Sequence, residues 1–198
     1  ALPHDVTSEA GWNAVFEAVR AQYGRLDVLV NNAGIMLSKP FAEAGIAVLR
    51  RQLQINVESV YMGMHGALPL LREAVTQGAA TTSVINIASA AAHLGVSPEV
   101  VYSTLKAAVV HYTRCLAKEL LHHGVRVNAV SPGPTKTARF QATRTVDPKK
   151  MDSAARSLDR YAEPDEIADA VGFLAGPRAK FINGQVLRVD GGLTLFPG

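Results

Sequence analysis

The chain has 198 residues, which is about the size of one domain. Hydrophobic residues make up 48% of the sequence and charged residues 19%, so the chain has the material for a buried core and is not a disordered segment. The net charge of +3 comes from basic residues scattered along the chain, which argues against the clustered basic footprint of a nucleic-acid-binding protein.

A membrane span, a disulfide and a metal site are not expected either. Polar residues interrupt the longest uncharged stretch, residues 74–98, whereas a span needs about 20 mostly apolar residues. Cys115 has no second cysteine with which to form an internal disulfide, so we expect a cytoplasmic protein. Cysteine and histidine do not cluster in a metal-binding pattern.

The first elements predict an α/β fold, because short runs rich in Val, Ile and Leu alternate with segments of helical period. Thr7 or Ser8 caps a first helix, which runs to about Tyr23 because its apolar residues form one stripe. A strand over residues 26–30 follows. It ends in a polar, glycine-containing turn at residues 31–34.

The middle of the chain is predicted to hold two long helices on either side of a second strand. The first helical segment covers residues 48–74, the strand covers residues 83–87, and the second helix runs from residue 99 to residue 122 or 123. Four residues that disfavour a helix interior interrupt the first segment. They are Asn56, Gly63, Gly66 and Pro69.

The last part of the chain begins with a third strand over residues 126–130. We expect residues 131–134, Ser-Pro-Gly-Pro, to stop its ladder. Residues 135–161 are polar and predict a lid with a short helix around residues 149–158. A further helix and strand are placed at residues 164–174 and 185–189.

Polar residues gather at three strand ends, where an open parallel sheet binds its ligands. These ends are residues 31–34, 86–89 and 131–137. Just after the second end, Tyr102 and Lys106 are four residues apart and share one face of a helix. An ammonium group at that distance lowers the pKa of a phenol, which makes the tyrosine a usable base.

Each of these residues also fits a plainer role. A Tyr-x-x-x-Lys pair fits an exposed helix surface, and Ser89 fits a loop turn as well as a hydrogen-bond donor to a substrate oxygen. Asn56 fits either a surface position or a local kink whose freed carbonyl holds a water.

The motifs taken together resemble the short-chain dehydrogenases/reductases. The order and spacing match at Asn31-Asn32-Ala33-Gly34, at Asn56, at Ser89 thirteen residues before Tyr102, at Tyr102-x-x-x-Lys106, and at Pro132-Gly133-x-Thr135-x-Thr137. The resemblance covers essentially the whole chain. It implies a doubly wound, Rossmann-like parallel sheet and an enzyme that transfers a hydride between NAD or NADP and a small-molecule ketone or secondary alcohol.

The resemblance also implies roles for individual residues. Tyr102 would be the general acid/base, and Ser89 would fix the same substrate oxygen. Lys106 would lower the pKa of Tyr102 and hold the nicotinamide ribose, while Asn56 would anchor a water. The implied cofactor contacts are Asp5 and Val6 with adenine, Asn31, Ala33 and Gly34 with the adenosine side, and Pro132, Gly133, Thr135 and Thr137 with the nicotinamide amide.

The substrate pocket is expected to be apolar, which suits a hydrophobic ketone or alcohol. Ser89 and Tyr102 would meet its reacting oxygen, and the segment of residues 138–158 would be part of its lining. The remaining expected lining residues are His93, Leu94, Val96 and Val100. Residues 4–12 and 55–60 look most like the hydroxysteroid and alicyclic alcohol branch of the family.

One departure from the family is large. The sequence contains no Gly-x-Gly, so the glycine-rich turn that binds the phosphates is absent from it. Residues 1–198 would then be the C-terminal three quarters of one Rossmann-type domain without its first three strands. The first strand present would have an open apolar edge. Two interpretations stand: an enzyme whose N-terminal part was not recorded, or a naturally shortened chain that serves as a binding or oligomerisation partner.

Assembly is expected because both long helical segments are apolar on more than one side. By resemblance, these helices pair between subunits into four-helix bundles, and residues 193–196 add a further contact. The expected state is a homodimer or homotetramer.

Overall fold

The computed structural model describes residues 1–143, 145–152 and 158–195. Helices and strands alternate along the described chain, as the sequence pattern predicts. The helices are α1 (Glu9–Tyr23), α2 (Ile46–Leu53), α3 (Ser59–Thr76), α4 (Val100–Glu119), α5 (Ala138–Thr143) and α6 (Pro164–Ala175), and the strands are β1 (Val28–Asn31), β2 (Ser83–Ile87), β3 (Arg126–Pro132) and β4 (Val186–Val189).

The four described strands form one parallel sheet in the order β1-β2-β3-β4. Successive residues of β2 face opposite sides of it. Val84 packs in a core with side chains of α1, α3 and α4, whereas Ile85 packs in a second core with Leu174 of α6. The sheet therefore carries helices on both faces, which confirms the doubly wound α/β prediction.

Strand β1 lies at one edge of the described sheet. It pairs with β2, and Val30 at its centre is 40% exposed. The expected open edge is present among the described residues.

The predicted helix over residues 48–74 is two helices joined by a π-helical turn, Gln54–Glu58. Its two interior glycines serve the packing of α1 on α3. A Cβ on Gly63 would lie 2.8 Å from the Trp12 ring, and one on Gly66 would lie 2.5 Å from the Phe16 ring. The cost of glycine in a helix is thus offset by close contact with two aromatic rings.

The expectation that residues 131–134 stop the third strand is wrong, because β3 continues to Pro132, which pairs with Val189. Alternate residues of a strand turn their backbone groups to opposite neighbours. Val130 O accepts from Ala88 N on the β2 side, and Gly133 N donates to Val189 O on the β4 side. The missing N–H of Pro132 therefore faces the β2 side, where β2 has already ended.

The segment after β3 differs from the predicted lid helix. Its described residues contain α5 and a 3-10 turn, Pro148–Met151, where the start of a helix over residues 149–158 was expected. Part of that prediction, residues 153–157, lies outside the described residues.

Neither a membrane span nor a metal site is found in the part of the chain that the structure describes. None of the helices there is both long and apolar enough to cross a bilayer. No group of three or more His, Cys, Asp or Glu side chains is placed to hold a metal ion there.

Candidate active site

A cavity of about 440 Å³ lies at the carboxyl ends of the strands. Its lining combines residues from all three polar strand ends and from α4. The predicted site residues among them are Gly34, Ser89, Tyr102, Lys106, Pro132, Gly133, Thr135 and Thr137. The fold therefore brings together side chains that are up to about half the chain apart in sequence.

A second cavity of about 290 Å³ adjoins the first. Ser89 and Tyr102 line both cavities, so these two residues belong to the wall that the cavities share. Leu94 and Val96, predicted for the substrate pocket, line the second cavity. The structure thus divides the site into a larger cavity beside Lys106 and a smaller one beside the residues 90–99 loop.

Lys106 lies on α4 one turn after Tyr102, with its Nζ atom 5.9 Å from the centre of the Tyr102 ring. The side chain is buried, and Nζ donates a hydrogen bond of 2.8 Å to the carbonyl of Ile87. Burial lowers the pKa of Lys106 to about 8. Because the Lys106 side chain is buried beside the Tyr102 ring, the two residues are not a pair on an exposed helix surface.

Ser89 follows β2 and caps the 3-10 turn Ala90–Ala92, where its Oγ accepts a hydrogen bond from Ala91 N at 3.2 Å. A hydroxyl that accepts one bond keeps its own proton as a donor. Ser89 is therefore both a turn residue and a wall of the two cavities.

Asn56 lies in the π-helical turn and is fully buried, which excludes a surface position. Its Oδ1 accepts from Ile35 N at 3.1 Å, and its Nδ2 donates to Ile35 O at 2.8 Å. The amide therefore fixes the loop that follows β1. Water anchoring by Asn56 stays a prediction.

The loop held by Asn56 passes close to Lys106. A Cβ on Gly34 would lie 3.0 Å from Asn56 Oδ1 and 3.4 Å from Lys106 Nζ, so any side chain at this position would press on both groups. From the opposite wall, Arg139 of α5 donates a hydrogen bond of 2.6 Å to the Gly34 carbonyl.

Of the residues predicted to hold adenine and the adenosine side, Gly34 lines the larger cavity, and the others lie apart from both cavities. Asp5 accepts hydrogen bonds from the Thr7 backbone N–H and hydroxyl, which hold the pKa of Asp5 below its usual value. Val6, Asn31 and Ala33 line a small separate cavity of about 220 Å³.

Asn31 is also part of a buried chain of polar side chains. Its Nδ2 donates to Asn86 Oδ1 at 2.9 Å, and Asn86 Nδ2 donates to Thr113 Oγ1 at 3.0 Å. Thr113 in turn donates to the Val109 carbonyl at 2.8 Å. The chain links β1, β2 and α4 through the core.

His93 does not line either of the two main cavities. Its Nε2 lies 3.0 Å from Ser131 Oγ, and partial burial lowers the pKa of His93. The structure therefore does not place His93 at the cavity for which it was predicted.

Comparison with known proteins identifies the family. Residues 1–194 match the family described as Enoyl-(Acyl carrier protein) reductase. The cis-4-hydroxycyclohexanecarboxylate dehydrogenase of Sinomonas cyclohexanicum is 36% identical over 192 residues, which are 96% of this chain and 74% of that protein. The chain belongs to the short-chain dehydrogenase/reductase family.

Solved structures of such enzymes share the fold. A short-chain dehydrogenase/reductase double mutant from Serratia marcescens superposes with a TM-score of 0.84 at 29% identity, covering 98% of this chain and 76% of that one. The 3-ketoacyl-(acyl-carrier-protein) reductase from Brucella melitensis, complexed with NADH, also gives 0.84 at 29% identity, covering 98% and 78%. The motif resemblance is thereby confirmed at the level of the family and its alicyclic alcohol branch.

The larger cavity of this short-chain dehydrogenase/reductase has the chemistry to hold part of a nicotinamide dinucleotide. Its volume lies within the range of small-molecule sites. Lys106 Nζ and the hydroxyl side chains of Thr135 and Thr137 line it together with the apolar Ile35 and Ile167. The close approach at Gly34 leaves backbone rather than a side chain beside Lys106. Lys106 Nζ, which can donate to ribose oxygens, and two hydroxyl groups that can bond the amide thus lie beside an apolar wall that suits a flat ring.

Sequence reasoning missed several residues of the site. Met36 and Phe140 line both cavities, Arg139 lines the larger one, and Glu99 lines the smaller one. A signal existed for Glu99, because it is the one acidic residue between Glu73 and Glu119. Arg139 and Phe140 belong to the segment 138–158 that was expected at the pocket, whereas no local pattern pointed to Met36.

Proposed function

We propose that this chain carries the catalytic site of an NAD(P)-dependent oxidoreductase that interconverts a secondary alcohol and a ketone, with Tyr102 as general acid/base. The observation that supports it best is the shared wall of the two cavities, where Ser89 and Tyr102 lie beside the buried Lys106. Family membership supports the same reaction class.

The residues divide the work as follows. In ketone reduction, Tyr102 gives its phenolic proton to the carbonyl oxygen, and it takes the proton back when the alcohol is oxidised. Ser89 donates a hydrogen bond to the same oxygen. Lys106 favours the phenolate through its charge and offers N–H donors to ribose oxygens. The dinucleotide, when bound, supplies or accepts the hydride.

Further residues would hold the cofactor. Thr135 and Thr137 offer hydroxyl groups to the nicotinamide amide, beside the backbone of Pro132 and Gly133. Asn31, Ala33 and Val6 would meet the adenosine side at the small cavity, with Asp5 nearby. Asn56 would anchor a water of the proton relay while it fixes the Ile35 loop.

The substrate that we propose is an alicyclic secondary alcohol or the matching ketone. The smaller cavity has the size and lining for one, because aliphatic and aromatic side chains surround its hydroxyl wall. They include Met36, Leu94, Val96, Phe140 and Leu193. Similarity to an enzyme named for a hydroxycyclohexane acid supports the same class of ring.

Turnover of a simple cyclic alcohol tests the proposed function. We expect the purified chain to oxidise cyclohexanol or cyclopentanol with NAD⁺ or NADP⁺, measured as alcohol-dependent formation of the reduced dinucleotide by absorbance. The reverse assay uses the ketone and NADH or NADPH. Calorimetry with all four dinucleotides serves as the control for binding. Dinucleotide binding without turnover in either direction would contradict the proposed catalytic role.

The second interpretation, a binding or oligomerisation partner, is supported by the open edge of β1 among the described residues, which offers backbone groups to another chain. We place residues 1–198 as the C-terminal three quarters of the domain, which agrees with coverage of 74% of the Sinomonas cyclohexanicum enzyme. A chain that neither binds a dinucleotide nor turns over alcohol would favour the partner role. The cytoplasmic location and the absence of a nucleic-acid partner stay predictions.

We also propose a homodimer or homotetramer that assembles through α3 and α4. Tyr61 is 56% exposed on α3, stacks on His65 with ring centres 5.8 Å apart, and lies 6.4 Å from the Tyr112 ring of α4. Aromatic residues are enriched at protein interfaces, so this cluster on adjacent helices supports an interface at α3 and α4. Of the contact predicted at residues 193–196, residue 196 lies outside the described residues.

Light scattering at micromolar concentration tests this assembly. We expect a mass of two or four chains, and we expect Tyr61→Arg to shift it toward one chain because a charge enters an apolar contact. Tyr23→Arg is the matched control. Tyr23 is 66% exposed at the end of α1, and we expect this variant to keep the wild-type mass. A monomeric wild type would refute the assembly.

A further inference from the structure

A further cavity of about 450 Å³ lies at the amino ends of the strands, at the opposite end of the sheet from the candidate active site. Two of its lining residues, Thr82 and Val125, directly precede β2 and β3. These strands are 5 and 7 residues long, so at about 3.3 Å per residue the two ends of the sheet are about 15 to 20 Å apart. The cavity is therefore separate from the active site, and its volume suits a small molecule.

A buried guanidinium group lines this cavity. Arg126, the first residue of β3, is 8% exposed. Its Nη1 donates to the Ile182 carbonyl at 3.3 Å, and its Nη2 donates to Thr81 Oγ1 at 2.8 Å and to the Leu174 carbonyl at 2.9 Å. Its partners among the described residues are thus uncharged oxygens, and burial lowers the pKa of Arg126. Because a buried charge is normally paired, an anion from outside the chain would complete this environment.

The other polar groups of the cavity also suit an anion. Lys180, an exposed residue of the lining, adds a second positive charge. Thr82 is 4% exposed, and its hydroxyl is buried without a hydrogen-bond partner in the part of the chain that the structure describes. The Thr81 hydroxyl accepts from Arg126 and keeps its own proton as a donor. The described lining includes no acidic side chain.

The remaining lining is apolar, and part of it is open to solvent. Leu121 is largely exposed and Phe181 is fully exposed, although both side chains belong to the same cavity. Val75 and Val125 extend the apolar surface inward. Exposed apolar surface that adjoins a cavity marks a binding site more often than bare protein surface does. An aliphatic chain would cover these residues and bury them from water.

We propose that this cavity binds an aliphatic monocarboxylate. Arg126, Lys180 and the two threonine hydroxyls hold its carboxylate, and the chain lies on Leu121 and Phe181. A planar guanidinium group matches the geometry of a carboxylate, and the apolar lining distinguishes such a ligand from a bare anion. The binding site shares no lining residue with the active-site cavities, so it works without the dinucleotide and without the alcohol substrate.

Calorimetric titration with octanoate tests the proposal on the full chain. We expect a dissociation constant of about 1 mM or tighter. Butyrate should bind about tenfold more weakly or worse, because four methylene groups are missing. 1-Octanol, which lacks the charge, and inorganic phosphate, which lacks the chain, should each bind at least about tenfold more weakly than octanoate.

Three variants place the ligand in this cavity. Thr82→Val removes a hydroxyl that has no partner in the free protein, so it should leave folding intact and weaken octanoate about tenfold. Lys180→Glu should weaken it about fivefold or more through reversal of the charge. Phe181→Ser should weaken octanoate about fivefold and leave butyrate unchanged. Lys39→Glu is the control, because Lys39 is exposed in the loop after β1, at the opposite end of the sheet.

The outcomes bear on the proposal independently of catalysis. Octanoate binding that all three variants leave at the wild-type affinity overturns it, because the ligand then lies elsewhere. Octanol or phosphate binding as tight as that of octanoate also overturns it, and so does the absence of octanoate binding. A chain that binds octanoate as predicted but oxidises no cyclic alcohol supports this site and contradicts only the proposed function.

Discussion

The Tyr102→Phe variant is expected to lose turnover by about a hundredfold or more while its affinity for the dinucleotide stays nearly unchanged. The change removes the phenolic oxygen that exchanges the proton, and general acid/base catalysis contributes about 10² to 10⁴ in rate. The ring itself remains, so the wall shared by the two cavities keeps its shape.

The measurement is steady-state turnover of a ketone with the reduced dinucleotide, together with calorimetric titration of the dinucleotide. Tyr23→Phe is the control, because Tyr23 lies exposed at the end of α1, away from the cavities. A Tyr102→Phe variant that kept more than about a tenth of the wild-type rate would show that another group handles the proton.

The Lys106→Met variant is expected to lose activity and gain stability at pH 7. Burial lowers the pKa of Lys106 from 10.5 to about 8, so the folded state opposes the charged form. At about 1.4 kcal/mol per pH unit, the cost to folding at neutral pH is about 3 kcal/mol. The variant removes this cost. It also leaves the Ile87 carbonyl without its hydrogen-bond donor, which lowers the free energy of unfolding by about 1 kcal/mol.

The pH dependence has a definite sign. Between pH 8 and pH 10.5 the unfolded chain keeps the Lys106 proton that the folded chain has released, so the free energy of unfolding of the wild type rises with pH relative to the variant. The gain from Lys106→Met should therefore be largest below pH 8 and shrink toward pH 10.5.

Urea unfolding of both proteins at several pH values measures this difference. Lys118→Met removes an exposed positive charge from the same helix and is the control for loss of charge alone. A difference between wild type and Lys106→Met that stays constant with pH would rule out the burial cost.

The elements and chemistry that depend on local spacing were predictable from the sequence. Strand β2 falls on the predicted residues, Ser8 caps α1 through Gly11 N, and Tyr102 and Lys106 share one face of α4. These features are set by residues within a few positions of one another.

What could not be predicted depends on partners far along the chain. Asn56 fixes Ile35 from 21 residues away, and Arg139 reaches the Gly34 carbonyl from 105 residues away. Pro132 remains in the ladder because its neighbour strand ends earlier. Such contacts are decided by tertiary packing rather than by local pattern.

The buried chain of Asn31, Asn86 and Thr113 has a consequence for the alignment of the edge strand. A slip of β1 by one residue would move Asn31 away from Asn86 and leave amide groups in the core without partners, at a cost of about 1 to 3 kcal/mol each. This pairing adds to the register that Val28 and Leu29 set by packing on opposite faces of the sheet. The side-chain pairing therefore helps to fix the register of β1 on β2. This register determines the position at which the backbone of Gly34 lies beside Lys106.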